Sequence, residues 1–516
     1  MAVYWCKIAR SEEEFHAIAQ LNYETFVEEI PQHERDGSGI RIDPFHAQNT
    51  YLIVLADSTL VGMIALRSER PFSLDRKIGK VEQYLPDSRN ICEIRLMAVR
   101  KEHRNGRVFF LMARALSDYC YAEGFDAAVI SGTTRQLKLY GQLGFQPIAP
   151  PVGTGEAVFV PMATTRRRYA ASVASRLQTG RKLFLPGPVK LTAPLAAPFA
   201  EAPVSHRSAA FQAVFEEVKE KLKEVAGSHP YFLFGSGTLA NEAMLAQISR
   251  LGSRGLILVN GEFGKRLKEQ ADRWQLNFDA LEQEWGAEFS TNTIEEQLQR
   301  QNYGWLLMAH GETSTGVLND FESLAAICER LQVKLCVDAV SSFGAVPVSF
   351  KKAWLATAVS GKAVGTSSGL AIVFAGHNIL PDLKLPAYLD LGHYGDKVPY
   401  TFSYALLKSF SLALDAYPER YGQLAERLEK VKRDTADWPL LGKGFPTAIT
   451  FKAEHPYEHF ALDAHLSGLE LHGSSSYLQE KNLFQVSCIQ PDFDADWQQL
   501  MKFHERYIKQ GNKIKA

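Results

Sequence analysis

Helical segments and short apolar runs alternate through this 516-residue chain from about residue 183 onward. The helical stretch "AAFQAVFEEVKEKLKEVAG" precedes the runs "GLILV", "WLLMAH" and "KLCVDAV", each of which has the length of a buried strand. This order predicts a parallel α/β sheet, in which the side chains that follow the carboxyl ends of the strands gather at one edge. We therefore expect functional residues directly after these runs.

The N-terminal part of the chain has a different order. "TYLIVLADSTLVGMIALR" alternates like two strands around a turn at Asp57 and Ser58, and "ICEIRLMAV", "VFFLMARALSDYCYAEG" and "FDAAVISG" follow as strand, helix and strand. A basic segment rich in small residues, "TTRRRYAASVASRLQTGRK", comes next and is either a linker or a solvated helix that connects two domains. We predict an α+β domain at 1–163, a linker at 164–182 and an α/β domain at 183–516.

Composition excludes several classes of function. The formal net charge is -1, from 57 basic and 58 acidic side chains, which gives no reason to expect binding to nucleic acid or to an anionic membrane. The six cysteines form no C-x-x-C pair, so neither a zinc site nor a disulfide framework is indicated. The first residues lack a signal-peptide core, and no apolar run approaches the ~18 residues that span a bilayer. We expect a cytoplasmic protein with no metal.

One lysine and one aspartate stand out in the α/β region. Lys362 lies among small residues in "VSGKAVGTSSG", where a confined pocket and a surface loop are both possible. Asp338 ends the apolar run "KLCVDAV", and a carboxylate buried there needs a cation or a strong donor, although a turn or capping aspartate is the alternative.

Three other strand ends carry polar or aromatic groups. Ser236, Gly237 and Thr238 open a helix in "GSGTLANEAML", which makes either a phosphate site or an ordinary helix cap. Phe263 lies in "NGEFG", and Thr313 lies in "AHGETSTGVLND". Pyridoxal 5'-phosphate suits this set of groups, which consists of a phosphate-binding helix start, an aromatic ring, a hydroxyl, a carboxylate and a downstream lysine.

The ordered motifs "GSGT", "HGETSTGV", "VDAVSSFGAVP" and "SGKA" resemble those of the fold-type I, class V aminotransferases, of the alanine–glyoxylate and 2-aminoethylphosphonate transaminase branch. "LPGPV" and "SHRS" also resemble the opening segment of that family. The resemblance implies a large fold-type I domain, a small C-terminal α+β domain and a homodimer that acts on small amino and oxo acids.

The same resemblance implies individual roles. Lys362 would hold pyridoxal phosphate covalently and then move the substrate proton, in keeping with the lowered pKa of a desolvated lysine. Asp338 would pair with the pyridine nitrogen, Phe263 would stack on the ring and Thr313 would contact the cofactor. The phosphate would be held by Ser236, Gly237 and Thr238, and by Thr401 of "VPYTFSY" from the second subunit.

One position departs from the family pattern. Where the family has an arginine that binds the substrate's acid group, "NLFQVSC" has Gln485, which lacks the charge and the fork of a guanidinium. Either the substrate is unusual, which would favour a lyase or decarboxylase, or another basic residue such as Lys481, Arg207 or His472 takes over.

The N-terminal region carries a second set of motifs. A turn of Arg104, Asn105, Gly106 and Arg107 joins a strand to a helix and could cradle a pyrophosphate. Tyr140 precedes a Gly-Phe turn in "YGQLGFQPI". Both features resemble the GNAT acyltransferase superfamily, and "ETFVEEIPQHERDGSGIRID" with "EIRLMAV" is similar to the branch of acyl-homoserine-lactone and N-acyl amino acid synthases.

The GNAT resemblance implies acylation of an amine from acyl-CoA or an acyl carrier protein. Val108 stands where glycine or alanine is common, Tyr140 would protonate the leaving thiolate, and Glu93 or a water would take the amine proton. A core tyrosine and a solvent-facing glutamate are the alternatives. Our main hypothesis is a bifunctional dimeric enzyme, and the alternative is a lyase or decarboxylase with a non-catalytic acyl-binding module.

Overall fold

The structure, a computed structural model, describes residues 3–30, 34–104, 106–153, 158–178, 180–395 and 398–513. Contacts divide the chain into two units. The first comprises Met1–Lys182, His459–Glu470 and Gln498–Ala516, and the second comprises Leu183–Glu458 and Leu471–Trp497. Within the described ranges, no helix has both the length and the apolar character needed to cross a membrane.

In its described residues, the N-terminal segment has seven strands and five α-helices, with a π-helical turn at Glu24–Glu29. The strands are β1 (Tyr4–Ile8), β2 (Asn49–Ala56), β3 (Thr59–Arg67), β4 (Ile91–Val99), β5 (Ala127–Thr133), β6 (Gln146–Pro147) and β7 (Phe159–Thr165). The helices are α1 (Glu12–Tyr23), α2 (Asp75–Ile78), α3 (Arg107–Ala122), α4 (Leu137–Gln142) and α5 (Arg166–Ala170).

These strands form one sheet in the order β1-β2-β3-β4-β5-β7-β6. Neighbours are antiparallel except β4 and β5, which run parallel and pair from Ile91 to Glu93, although β4 continues to Val99. The two strands therefore part after Glu93, and Leu96, in the half of β4 that pairs only with β3, has a positive φ of 51°. The predicted hairpin is confirmed, because β2 and β3 join at Asp57, whose φ is 53°.

The part of the remaining chain that the structure describes has fourteen strands and eleven α-helices. The strands are β8 (Lys182–Phe184), β9 (His229–Gly235), β10 (Gly255–Val259), β11 (Phe278–Glu282), β12 (Trp305–Ala309), β13 (Gly311–Glu312), β14 (Val317–Leu318), β15 (Lys334–Asp338), β16 (Leu355–Val359), β17 (Gly369–Ala375), β18 (Leu440–Phe445), β19 (Ala448–Lys452), β20 (Leu469–Leu471) and β21 (Leu483–Val486). The helices are α6 (Ala193–Ala196), α7 (Ala209–Ala226), α8 (Gly237–Ile248), α9 (Glu262–Arg273), α10 (Thr291–Arg300), α11 (Phe321–Leu331), α12 (Tyr404–Leu414), α13 (Tyr417–Asp434), α14 (Phe460–Leu466), α15 (Ser476–Glu480) and α16 (Phe493–Lys513).

The second unit is built on a seven-stranded sheet in the order β11-β10-β12-β15-β16-β17-β9. Only β17 runs against its neighbours, so the predicted parallel α/β sheet is confirmed. Two apolar clusters, one with Phe232, Leu306 and Val337 and one with Leu233, Leu307 and Cys336, contain alternate residues of the same strands. Burial on both faces explains why these strands are continuously apolar in sequence.

Later in the chain, a three-stranded antiparallel sheet, β18-β19-β21, forms the small C-terminal α+β part that was expected. The segment proposed as a linker, 164–182, contains the end of β7, α5 and a 3-10 helix at Val173–Gln178.

Candidate functional site

The carboxyl ends of five parallel strands of the second unit lie at one edge of its sheet. β9, β10, β12, β15 and β16 end at Gly235, Val259, Ala309, Asp338 and Val359. Because the segments that follow them carry the predicted residues, the fold brings together one constellation: Ser236, Gly237, Thr238, Phe263, Thr313, Asp338 and Lys362.

Lys362 lies between β16 and β17 and is half-buried. Its Nζ donates a hydrogen bond of 2.6 Å to Oγ of Ser341, which also accepts from the hydroxyl of buried Thr313. Burial lowers the pKa of the Lys362 amine to about 8, although the charges of Asp338 and Glu312 oppose this shift. A lysine in this state is partly neutral near physiological pH and can act as a nucleophile or base.

Asp338 is buried at the end of β15. Its Oδ2 accepts a hydrogen bond of 2.8 Å from the Asn241 amide, and its Oδ1 accepts one of 3.0 Å from the backbone N–H of Val340. The Asn241 side-chain carbonyl in turn accepts a hydrogen bond of 2.7 Å from the hydroxyl of Thr357, and this bond fixes the orientation of the amide. Burial raises the pKa of Asp338. The carboxyl group is thus oriented but has no hydrogen-bonded cation among the described residues, so a cationic ring nitrogen suits it.

The turn after β9 opens helix α8. Ser236 makes no side-chain cap, and Ser236 and Thr238 are exposed while Gly237 is buried. A Cβ at Gly237 would come within 2.7 Å of the Val340 side chain, so only glycine fits there. The helix N-terminus therefore presents its amides and two hydroxyls beside Asp338's strand, an arrangement that can hold a phosphate.

Phe263 is held by a buried glutamate that sequence reasoning missed. Oε1 of Glu312 accepts a hydrogen bond of 3.2 Å from the N–H of Phe263, and its Oε2 accepts one of 2.9 Å from the N–H of Gly264. Ser314 adds hydrogen bonds of 3.1 Å from its N–H and 2.5 Å from its hydroxyl. Glu312 thus binds the first turn of α9, and the Phe263 ring centre lies 5.3 Å from Nζ of Lys362. The only sequence signal was the polar segment "HGETSTG".

Gln485 is 1% exposed on β21, opposite Thr450 of β19. Its Nε2 donates hydrogen bonds of 2.5 Å to the carbonyl of Thr313 and 2.8 Å to the hydroxyl of Thr450. These two bonds orient the amide and leave its Oε1 buried with no hydrogen-bond partner in the part of the chain that the structure describes. The remaining polar atom at this position is thus a hydrogen-bond acceptor, which disfavours an approaching carboxylate.

The other basic residues considered lie in different places. His472 pairs with Gln485 through two backbone hydrogen bonds, and its Nε2 lies 3.1 Å from Oγ of Ser475. Lys481 is exposed, with Nζ 5.4 Å from the centre of the Trp285 ring. Arg207 is exposed before α7. Thr401 is exposed before α12.

In the first unit, the predicted pyrophosphate turn leads into α3. Gly106 has a φ of 79°, and no side chain of the described residues caps the helix. The Arg104 guanidinium forms an ion pair with Glu29, and its Nε donates a hydrogen bond of 2.9 Å to the carbonyl of Val99. The donors of Arg104 are therefore already engaged within the protein. Asn105 lies outside the described residues. Val108 is fully buried and contacts the position of Gly62 on β3, which gives it a packing role.

Tyr140 lies half-buried on α4. A Cβ added at Gly132 on β5 would come within 3.1 Å of the Tyr140 ring, so glycine leaves the space that the ring occupies. Glu93 is 1% exposed and accepts hydrogen bonds from the N–H and hydroxyl of Ser73, at 2.8 and 2.6 Å, and from the N–H of Leu74 at 2.9 Å. Glu93 is therefore not the solvent-facing residue of the alternative interpretation, and its oxygens are occupied by the 73–74 turn.

A mostly apolar cavity of about 80 Å³ lies in the first unit. Its walls come from α3, β4, β5, β7, α5 and the segment after α4. They include Ile94, Leu116, Cys120, Leu143 and Phe145.

Comparison with known proteins identifies both regions. Residues 21–114 match the model of the acetyltransferase (GNAT) domain, and residues 198–401 match the model of the class V aminotransferases. The chain is 37% identical over 153 residues to 2-aminoethylphosphonate–pyruvate transaminase of Pseudomonas aeruginosa, covering 29% of this chain and 41% of that protein. It is 33% identical over 224 residues to the soluble hydrogenase 42 kDa subunit of Anabaena cylindrica, covering 41% and 58%. The matches thus span about half the length of these relatives.

Solved structures agree with this fold. An aspartate aminotransferase of subgroup IV from Thermus thermophilus has a TM-score of 0.58 at 23% identity, covering 64% of this chain and 99% of that one. An alanine–glyoxylate aminotransferase from Nostoc sp. has a TM-score of 0.56 at 22% identity, covering 62% and 94%. The predicted fold class is therefore confirmed: residues 21–114 match an acetyltransferase (GNAT) domain, and the second unit has the fold of the solved aminotransferases.

Proposed function

We propose that the chain is a bifunctional enzyme. The second unit would transfer an amino group between small amino and oxo acids with pyridoxal 5'-phosphate, and the first would acylate an amine from acyl-CoA or an acyl carrier protein. The observation that carries the first half is Lys362, half-buried with a pKa of about 8, hydrogen-bonded to Ser341 and 5.3 Å from the centre of the Phe263 ring. The transaminase relatives favour transamination over a lyase or decarboxylase reaction.

The residues at the sheet edge fit pyridoxal phosphate. Asp338 would hold a protonated ring nitrogen, Phe263 would cover one ring face, and the uncapped start of α8 with Ser236 and Thr238 would hold the phosphate. When bound, the cofactor supplies an electron sink for the substrate carbon that loses its proton. Lys362 would take that proton and return it, while Ser341 and Thr313 keep its amine in place. We propose that Thr401 completes the phosphate site of a partner subunit in a homodimer.

The proposal for the first unit rests on three features: the uncapped N-terminus of α3 after Gly106, the separation of β4 from β5 beyond Glu93, and Tyr140 beside β5. The helix amides would hold the pyrophosphate of coenzyme A, and Tyr140 would return a proton to the leaving thiolate. The acyl chain would occupy the apolar cavity. Covalent linkage of two domains raises the local concentration of any shared intermediate.

The test of the transaminase half uses the purified protein and its Lys362→Ala variant. We expect wild type to take up pyridoxal phosphate, to absorb visible light and to retain the cofactor after borohydride reduction and denaturation, whereas the variant retains none. A wild type that stays colourless with added cofactor would contradict this half.

The acyltransferase half is tested separately by thiol release from acyl-CoA with a panel of amines. We expect Tyr140→Phe to slow thiol release with little change in acyl-CoA binding. Binding without turnover, unaffected by Tyr140→Phe, would instead indicate a non-catalytic module.

A further inference from the structure

We propose that Arg266 of α9 binds the acid group of the substrate in the second unit, in place of the arginine that Gln485 replaces. The proposal rests on the transamination proposed above and names its substrate class: amines that carry a carboxylate or phosphonate. It begins from the question of where a cation lies close enough to Lys362 to bind such a group.

Gln485 itself is poorly suited to an anion. Both hydrogens of its amide are directed to the Thr313 carbonyl and the Thr450 hydroxyl, at 2.5 and 2.8 Å. What remains is a buried carbonyl oxygen without a partner, which would repel a carboxylate oxygen. The charge that an acidic substrate needs must therefore come from elsewhere.

Arg266 shares an aromatic ring with the lysine. Its guanidinium carbon lies 4.9 Å from the centre of the Phe263 ring, and Nζ of Lys362 lies 5.3 Å from the same centre. Arg266 follows Phe263 by three residues on α9, so both side chains lie on one face of the helix. The cation is thus placed at the ring that borders the lysine.

Arg266 is also available for a ligand. Its side chain is 43% exposed, and its ion pair within the described residues is with Glu262 at 3.8 Å, beyond hydrogen-bond distance. The five N–H donors of the guanidinium form a fork that matches a carboxylate or phosphonate.

The other cations near the site are less well placed. Lys481 lies against Trp285 and not against Phe263. The Nε2 of His472 lies 3.1 Å from the hydroxyl oxygen of Ser475 and 3.4 Å from that of Tyr477. Tyr477 in turn lies 6.3 Å from Phe263 between ring centres, so His472 is one ring further from Lys362 than Arg266 is.

The experiment compares β-alanine with propylamine, which differ by the acid group, as amino donors to the protein loaded with pyridoxal phosphate. We expect wild type to react faster with β-alanine than with propylamine. In Arg266→Gln the ratio of the two rates should fall about 10- to 100-fold, because a charge-assisted contact is lost, while the rate with propylamine stays the same. Arg266→Lys should fall between them. The matched control is Lys265→Gln, which removes the same charge from an exposed neighbouring position and should change nothing.

A second measurement separates this inference from the proposed function. Succinate binding to the loaded protein, followed by isothermal titration, should weaken by the same factor in Arg266→Gln. If wild type binds succinate through Arg266 but converts neither amine, transamination is wrong and the anion site stands. If Arg266→Gln keeps the preference for β-alanine, or wild type shows neither preference nor succinate binding, the anion site is overturned while transamination is judged by amine conversion alone.

Discussion

At the scale of single residues, the site depends on burial that changes the chemistry of ordinary side chains. The amine of Lys362 and the carboxyl of Asp338 both have pKa values shifted towards their neutral forms, because both lose water. Hydroxyl and amide groups that are themselves buried, such as Ser341 and Asn241, then orient them. Perturbed groups of this kind concentrate at functional sites.

The pKa of Lys362 predicts how cofactor capture varies with pH. With a pKa of about 8, about one tenth of the amine is neutral at pH 7 and about nine tenths at pH 9. Because only the neutral amine attacks an aldehyde, the rate of visible colour development after adding pyridoxal phosphate should rise about tenfold over this range, with its midpoint near pH 8. Lys362→Ala provides the blank, and a rate that is flat from pH 7 to 9 would contradict the assignment.

Glu312→Gln tests how Phe263 is held. A glutamine would place an amide group against at least one N–H donor, leaving a buried donor unsatisfied at a cost of about 1–3 kcal/mol. We expect a lower free energy of unfolding and weaker binding of pyridoxal phosphate, measured by urea denaturation and by titration of the visible absorbance. Glu269→Gln, at an exposed position of α9, the helix whose first turn Glu312 binds, is the control and should have little effect. Unchanged cofactor affinity in a folded Glu312→Gln protein would show that Phe263 does not depend on this carboxyl group.

At the scale of elements, the proposed anion-binding groups are the backbone N–H groups at the starts of helices. Among the described residues, α8 and α3 begin without a side-chain cap, as does α9, whose first N–H groups donate to Glu312, whereas α7 is capped by Ser208 and α11 by Asp320. Uncapped amides at a helix start need another partner, and an anionic ligand supplies one.

Gly106→Ala tests the start of α3. Alanine at a φ of 79° costs about 1–2 kcal/mol or shifts the turn, so we expect weaker coenzyme A binding, measured by isothermal titration. Gly37→Ala is the matched control, because Gly37 has a φ of 74° with open space around it and lies outside the proposed turn. Equal loss of coenzyme A binding in both variants would mean that backbone strain, and not the α3 turn, is responsible.

At the scale of the whole molecule, the late segment His459–Glu470 clusters with the N-terminal unit. Buried Asp463 of α14 accepts from the Arg10 guanidinium at 2.7 and 3.0 Å. On α16, the Phe503 ring centre lies 5.7 Å from that of Trp5 and 5.5 Å from that of Phe460. The N-terminal unit is therefore completed by residues far along the chain.

Asp463→Asn tests this contribution. The variant loses a charge-assisted contact, and we expect it to lower the free energy of unfolding of the first unit by about 1.5–3 kcal/mol in urea denaturation. Asp492→Asn is the control, because its ion pair with Lys190 is exposed, and it should cost less than about 1 kcal/mol. A first unit of unchanged stability in Asp463→Asn would mean that the late segment adds little to it.

The strand runs, the parallel sheet and the order of the residues at its edge followed from the sequence alone. Their cause is local: apolar runs of strand length alternate with helices, and parallel strands bring their carboxyl ends together wherever such a sheet forms. Only the tertiary structure decided which groups meet from afar. The Glu312 carboxylate reaches Phe263 from 49 residues away, and Gln485 reaches Thr313 across 172 residues. No local pattern records such contacts, because they form only when distant segments close on one another, and this is why Arg266, Glu312 and the placement of Asp463 were visible only in the folded chain.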